Sequence, residues 1–151
     1  VNAKERAELN KRQKKLEKSE AMAQHQLEEL ARRCYSKYEI FKMQHQNDSA
    51  LCYLEKRASL DTMNIEWICD LAEFIDNYIG DYDLALEYYN KILSKVDRQA
   101  EIADIYGNIS IIYWKEGEYD NAMEYGLKSK DIMEQIKKLV FLKLLMMFLL
   151  Q

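Results

Sequence analysis

A nine-residue segment occurs twice in the chain, and this duplication constrains the fold more than any other feature of the sequence. It reads GDYDLALEY at residues 80–88 and GEYDNAMEY at residues 117–125, an offset of 37 residues. Its glycine suits the left-handed residue that closes a helix. Its first tyrosine fits as a wedge between two helices, and its alanine permits their close approach. The repeat predicts two helix hairpins with packing residues at Gly80, Tyr82, Ala85, Gly117, Tyr119 and Ala122.

The rest of the sequence is compatible only with helices. It contains no proline and four glycines, which disfavours sandwiches, barrels and most mixed folds, because their corners need these residues. From residue 27 onward, apolar residues recur at three- and four-residue steps in six stretches separated by short polar joints. The sequence therefore predicts an all-α protein made of antiparallel helix hairpins.

These hairpins resemble tetratricopeptide repeats. Residues 103–136 carry the family's aromatic, glycine and small-residue positions at Tyr106, Ile109, Ser110, Tyr113, Gly117, Tyr119, Ala122 and Ser129. Residues 65–97 match in their second helix, whereas their first helix is one residue longer than the family pattern. The resemblance implies a right-handed superhelical solenoid of about three repeats, the minimum for a stable stack. Repeat spacings of 35 and 37 residues favour kinesin-light-chain-like members of the family.

The two ends of the chain differ from the repeats. Residues 1–26 are charged and carry part of a heptad thread at Leu9, Leu16, Ala23 and Leu30, which predicts a helical lead-in or a coiled coil. The solenoid is expected at 27–136, with repeats at about 27–60, 65–97 and 99–136. Because the sequence begins with Val1 rather than Met, we expect a piece of a longer polypeptide or a processed form.

Residues 137–151 predict an apolar C-terminal helix, which is shorter than the roughly 20 residues that a membrane span requires. Four interpretations stay open for it. It is a cap on the solenoid, a truncated membrane span, a self-association helix or the product of an altered reading frame. A membrane partner is expected only under the second of these interpretations.

No catalytic or cofactor-binding motif is found in the sequence. No two glycines lie within eight residues of each other, so the glycine-rich loops that hold phosphates are missing. His25 and His45 belong to no hydrolase motif, and Cys34, Cys52 and Cys69 lack metal-ligand or redox spacing. We therefore expect no enzyme activity, no cofactor and no metal. Reduced cysteines favour a cytoplasmic location.

The charge distribution points to a particular class of partner. The net charge is +4 over residues 1–59, −11 over 60–135 and +3 over 136–151. An acidic middle is unsuited to nucleic acid, because phosphate binding needs clustered Lys and Arg. We therefore expect a protein or peptide partner with basic residues and no nucleic acid.

The family resemblance also implies where such a partner binds. In stacked helix hairpins, extended concave surfaces serve as binding sites, and the family lines them with the first helix of each repeat. The corresponding positions are Asp104, Asn108, Ile111 and Lys115 in the last repeat and Glu66, Asp70, Glu73 and Asn77 in the middle repeat. In the family, an asparagine at the position of Asn108 commonly bonds to the peptide backbone. Because acids dominate here, a carboxylate clamp is not expected.

These features predict a non-catalytic protein–protein interaction module, or scaffold. Two alternatives remain. The first is a self-assembling structural module, a homo-oligomer held together by the N-terminal heptads and the apolar tail. The second is the sensory arm of a larger signalling protein whose catalytic part lies outside this sequence.

Overall fold

The computed structural model describes residues 2–151, and within this range the chain forms helices and no strand. A π-helical turn at Ile75–Ile79 continues the third helix directly. The helices are α1 (Ala3–Met43), α2 (Asn47–Leu60), α3 (Ile65–Phe74), α4 (Tyr82–Leu93), α5 (Gln99–Lys115) and α6 (Tyr119–Leu149). The predicted all-α class is therefore confirmed.

The chain divides into two compact units, the first ending at Asp61 and the second spanning Thr62–Gln151. The first unit is the hairpin of α1 and α2. Its helix α1 begins with a reciprocal cap, in which Glu5 N donates to Asn2 Oδ1 at 2.9 Å and Asn2 N donates to Glu5 Oε2 at 3.1 Å. The helix continues without a break through residue 26, and residues 2–26 are exposed. Dimerisation through its heptads stays a prediction.

The second unit contains α3 to α6, and each of these helices packs against the next one along the chain. Its core comes from all four helices. The α3 segment contributes the largest share, and Ile92, Ile109 and Ile112 from α4 and α5 are almost fully buried. This arrangement is the succession of hairpins that the apolar periodicity predicts.

Two left-handed glycines form the tight turns of this unit. Gly80 has φ 77° and Gly117 has φ 81°, a region that residues with a Cβ adopt at an energetic cost. After the first turn, Asp81 caps α4, because Leu84 N donates to Asp81 Oδ1 at 3.0 Å. The same local geometry therefore recurs at the offset of the duplicated segment.

The π-helical turn accommodates the extra residue in the first helix of the middle repeat. Gly80 N donates to Ile75 O at 2.8 Å, a bond that spans five residues instead of four. A π turn takes up one additional residue without ending the helix. It also places Asp76 in the protein interior, with only 8% of the residue exposed.

Two serines connect α5 to α6 by hydrogen bonds. Ser110 Oγ donates to Ala122 O at 2.6 Å, and Ser129 Oγ donates to Ala103 O at 2.7 Å. The sequence analysis identified Ser110 and Ser129 only as small residues at positions where the repeat family has small residues. The structure shows that they also hold the two helices in register.

Helix α6 is 31 residues long and continues straight from the last hairpin into the apolar C-terminal segment. From residue 137 to residue 151 every side chain is exposed. No helix among the described residues is long and apolar enough to cross a membrane.

Candidate functional site

The predicted binding positions on the α3 segment lie along one stripe. Glu66, Asp70 and Glu73 are spaced by four and three residues, so they share one face of the helix. Glu66 and Glu73 are exposed and Asp70 is half-buried. Asn77 lies in the π-helical turn and is exposed.

The predicted positions on α5 form a second stripe. Asp104 is exposed, Asn108 is half-buried, and Ile111 is 51% exposed. Lys115 lies at the end of the helix on the same face.

Lys115 connects the two stripes at one end. Its Nζ lies 2.9 Å from Asp76 Oδ1 and 3.5 Å from Asn77 Oδ1, both on the π-helical turn. Asp76 was not among the predicted residues, and the only sequence signal for it was the additional residue in the middle repeat. Because Asp76 neutralises Lys115, the remaining charged positions of the two stripes are all acidic.

The carboxylates of both helices act on one half-buried thiol, that of Cys69. The pKa of Cys69 is raised from 9.0 to about 11, first by burial and then by the charges of Glu73, Asp70, Glu101 and Glu66, in that order of influence. Glu101 belongs to α5 and the other three belong to α3, so the negative potential comes from both helices. Sequence reasoning missed Glu101. We call the surface formed by Glu66, Asp70, Glu73, Glu101 and Asp104 the acidic face.

Within the acidic face the carboxylates also repel one another. The pKa of Glu73 is raised from its ordinary value of 4.5, first by partial burial and then by Asp70 and Asp76. This shift means that the ionised form of Glu73 is less stable here than in water. A cation bound nearby would relieve this repulsion.

The predicted repeat-packing residues differ in burial between the two copies. Ala85 is fully buried and Ala122 is 8% exposed, so both alanines lie at close helix contacts. Tyr82 is half-buried beneath Lys115, whose Nζ lies 5.8 Å from the centre of its ring. Tyr119 is 65% exposed, because it lies on the last hairpin of the chain. The two tyrosines therefore have different surroundings, although they occupy the same position in the duplicated segment.

Tyr119 belongs to a second surface, an open apolar groove of about 480 Å³ between α5 and α6. The sequence analysis did not predict this groove: it placed Ile111 among the binding positions of α5, and Tyr119 and Ala122 among the residues that pack the repeats. The lining residues are Ser110, Ile111, Trp114, Tyr119, Ala122, Met123, Gly126, Leu127 and Lys130. We call this surface the apolar groove.

Among residues 2–151, no group of three His, Cys, Asp or Glu side chains is placed to hold a metal ion. The cysteines Cys34, Cys52 and Cys69 are free thiols. The two surfaces described above are therefore the candidate sites.

Comparison with known proteins agrees with this architecture. The profile of the tetratricopeptide repeat family matches residues 103–132. A crystal structure of MamA is 24% identical with a TM-score of 0.59, and the match covers 72% of this chain and 61% of that one. A second MamA crystal structure is also 24% identical with a TM-score of 0.59, and the match covers 72% of this chain and 57% of that one. The structure of MamA MSR-1 is 19% identical with a TM-score of 0.57, and the match covers 70% of this chain and 58% of that one.

The chain spans about three fifths of the length of these MamA structures. No curated protein matches it in sequence. The structural likeness establishes the fold, a solenoid of tetratricopeptide-type helix hairpins. The repeat found at 103–132 is the one in which the sequence carries the most complete signature.

Proposed function

We propose that this chain is a non-catalytic protein-interaction module that binds a Lys- or Arg-bearing segment of a partner on the acidic face. The repeat match supports the general class of function, a protein-interaction scaffold. The choice of a basic ligand rests on one observation. Glu66, Asp70 and Glu73 lie along one face of α3, and, after burial, their charges together with that of Glu101 on α5 raise the pKa of Cys69.

The acidic face would select basic segments over acidic ones and would increase their rate of association. Exposed ion pairs contribute about 0.2–1 kcal/mol each, so charge alone gives modest affinity. Opposite charge does accelerate the association of the two molecules, and it disfavours acidic competitors. Asn108 lies one helical turn before Ile111, where its amide can bond to a peptide backbone.

We also propose a cellular location, a repeat subclass and an N-terminal structure for this module. The free thiols of Cys34, Cys52 and Cys69 favour a cytoplasmic location. The repeat spacings favour kinesin-light-chain-like repeats, and the heptads favour a coiled coil over residues 1–26.

Fluorescence anisotropy with two labelled peptides tests the proposal. Both peptides have the same leucines, but one has Lys and Arg where the other has Glu. We expect the basic peptide to bind and its affinity to fall as salt is raised. The double variant D70K/E73K should weaken this binding by about tenfold or more, which corresponds to about 1.4 kcal/mol.

The matched control is E17K/E20K, which makes the same change in net charge on the exposed part of α1. A general effect of net charge would affect both variants equally. Equal binding of the two peptides, or equal losses in the two variants, would refute the assignment to the acidic face.

A further inference from the structure

Helix α6 carries two exposed apolar surfaces, one near each end. At its beginning, Met123 and Leu127 line the apolar groove and are 64% and 49% exposed. At its end, Phe141 and Phe148 are 66% and 74% exposed. We call residues 137–149 the tail. Exposed apolar patches of this extent mark interaction sites in soluble proteins.

The apolar groove has the shape of a surface that a helix covers. At the offset of 37 residues, Ala122 corresponds to Ala85 and Gly126 corresponds to Tyr89. In the middle repeat these positions are completely buried, and α5 packs against the helix that carries them. The same surface of the last repeat is open. Its natural occupant is therefore an apolar helix that runs antiparallel to α6.

We propose that two copies of this chain pair through antiparallel α6 helices, so that the tail of each copy lies in the apolar groove of the other. This arrangement requires that Met123 and the apolar residues of the tail lie on the same side of α6, and they do. Steps of three and four residues from Met123 lead along α6 through Lys130 and Lys137 to Phe141, Leu144 and Phe148. The proposal concerns a different surface from the acidic face and does not depend on the proposed function.

Charge determines the direction of the pairing. The groove end of α6 is acidic, with Glu118, Asp120 and Glu124. The tail is basic, and among the ion pairs of the described residues none includes Lys137, Lys138 or Lys143. An antiparallel pair brings Lys143 of one copy beside Glu124 of the other, whereas a parallel pair places the lysines of the two tails side by side.

The apolar residues also define a register. When Met123 of one copy faces Leu144 of the other, Tyr119 faces Phe148, and Lys143 lies opposite Glu124. The same register places Lys130 opposite Lys137 near the centre, so the apolar contacts toward the two ends have to outweigh this repulsion. The interface is isologous, so each of these contacts forms twice.

The buried area is sufficient for a stable dimer. Eight large side chains per copy contribute, and each is between 42% and 74% exposed in the single chain. They are Trp114, Tyr119, Met123, Leu127, Phe141, Leu144, Leu145 and Phe148. Together they can bury roughly 800 Å² per copy, the area typical of a specific interface.

Size-exclusion chromatography with light scattering on the full chain tests the pairing. We expect a dimer at tens of micromolar. We also expect M123E in the groove and F141E in the tail each to raise the dissociation constant at least tenfold. The matched control is M43E, since Met43 is even more exposed, at 81%, but lies at the end of α1. Circular dichroism on each variant confirms that helicity is retained.

Charge reversal tests the direction of the pairing on a surface that cannot disturb the core. K143E should weaken the dimer, and the combination E124K/K143E should restore it, because the two changes compensate across the interface. Failure of this rescue would overturn the antiparallel register. A monomeric chain, or a dimer that M123E and F141E leave intact, would overturn the proposal. A monomer that binds vesicles of anionic lipid, with binding lost in F141E, would also overturn the proposal, because the tail would then contact a membrane surface and not a second copy.

Discussion

The ion pair between Lys115 and Asp76 yields the most quantitative prediction. Asp76 is 8% exposed and the side chain of Lys115 is 27% exposed, with 2.9 Å between Nζ and Oδ1. Removing one member of a fully buried pair costs about 3–5 kcal/mol, because the other charge is left without a partner in the interior. Since water reaches part of this pair, we expect K115M to lower the free energy of unfolding by about 2–3 kcal/mol.

The loss should depend on which partner is removed. In K115M the remaining charge is the buried carboxylate of Asp76, whereas in D76N the remaining ammonium group of Lys115 can reach water. We therefore expect D76N to be less destabilising than K115M. The double variant D76N/K115M should recover part of the loss, because it leaves no buried charge.

Urea unfolding followed by tryptophan fluorescence measures these differences. The two tryptophans, Trp67 and Trp114, both belong to the unit Thr62–Gln151, so the signal reports that unit alone. With a slope of about 1–3 kcal/mol per M, the midpoint for K115M should fall by about 0.7–3 M. The control is K91M, which breaks the exposed pair with Glu87 and should cost at most about 0.5 kcal/mol. A K115M midpoint equal to that of K91M would refute this reasoning.

Four further predictions concern two glycines, the cysteines and Glu73. G80A should destabilise the chain by about 1 kcal/mol in thermal unfolding, because its φ of 77° disfavours a Cβ. G107A should be neutral or stabilising, since the new Cβ would lie 3.7 Å from its nearest neighbour. Near pH 8, a thiol reagent should modify exposed Cys52 before Cys69, because the raised pKa of Cys69, about 11, leaves little thiolate; equal rates would contradict the raised pKa. Because the folded-state pKa of Glu73 lies above its ordinary value of 4.5, its charge destabilises the fold above that pKa, and this penalty disappears below 4.5. E73Q should therefore raise the melting temperature near pH 7 and leave it unchanged near pH 3.

The turns and helices could be predicted from the sequence because they depend on near neighbours. Apolar spacing of three and four residues defines a helix face wherever it occurs. Gly80 and Gly117 provide the left-handed residues that close two helices, and their recurrence at a fixed offset indicates repeated hairpins. The serines at 110 and 129 were recognised as small, but their hydrogen bonds between α5 and α6 needed the packed structure.

The candidate sites were only partly predictable, for a related reason. The family resemblance indicated the positions on α3 and α5, and the charges at those positions are a property of the sequence. The partner of Lys115 was not predictable, because it is 39 residues away and lies on a π-helical turn. The role of Tyr119 was equally hidden, since the same position in the preceding repeat is covered.

The sequence by itself therefore determined the all-helical class, the repeated hairpins and the acidic character of the middle of the chain. Each of these follows from local periodicity, local turn conformation or simple composition. Only the tertiary structure decided that Asp76 is buried beside Lys115, that carboxylates of both α3 and α5 act on Cys69, and that the last hairpin leaves an open groove. These features depend on which side chains meet across helices, and such meetings are determined by packing between residues far apart in the chain.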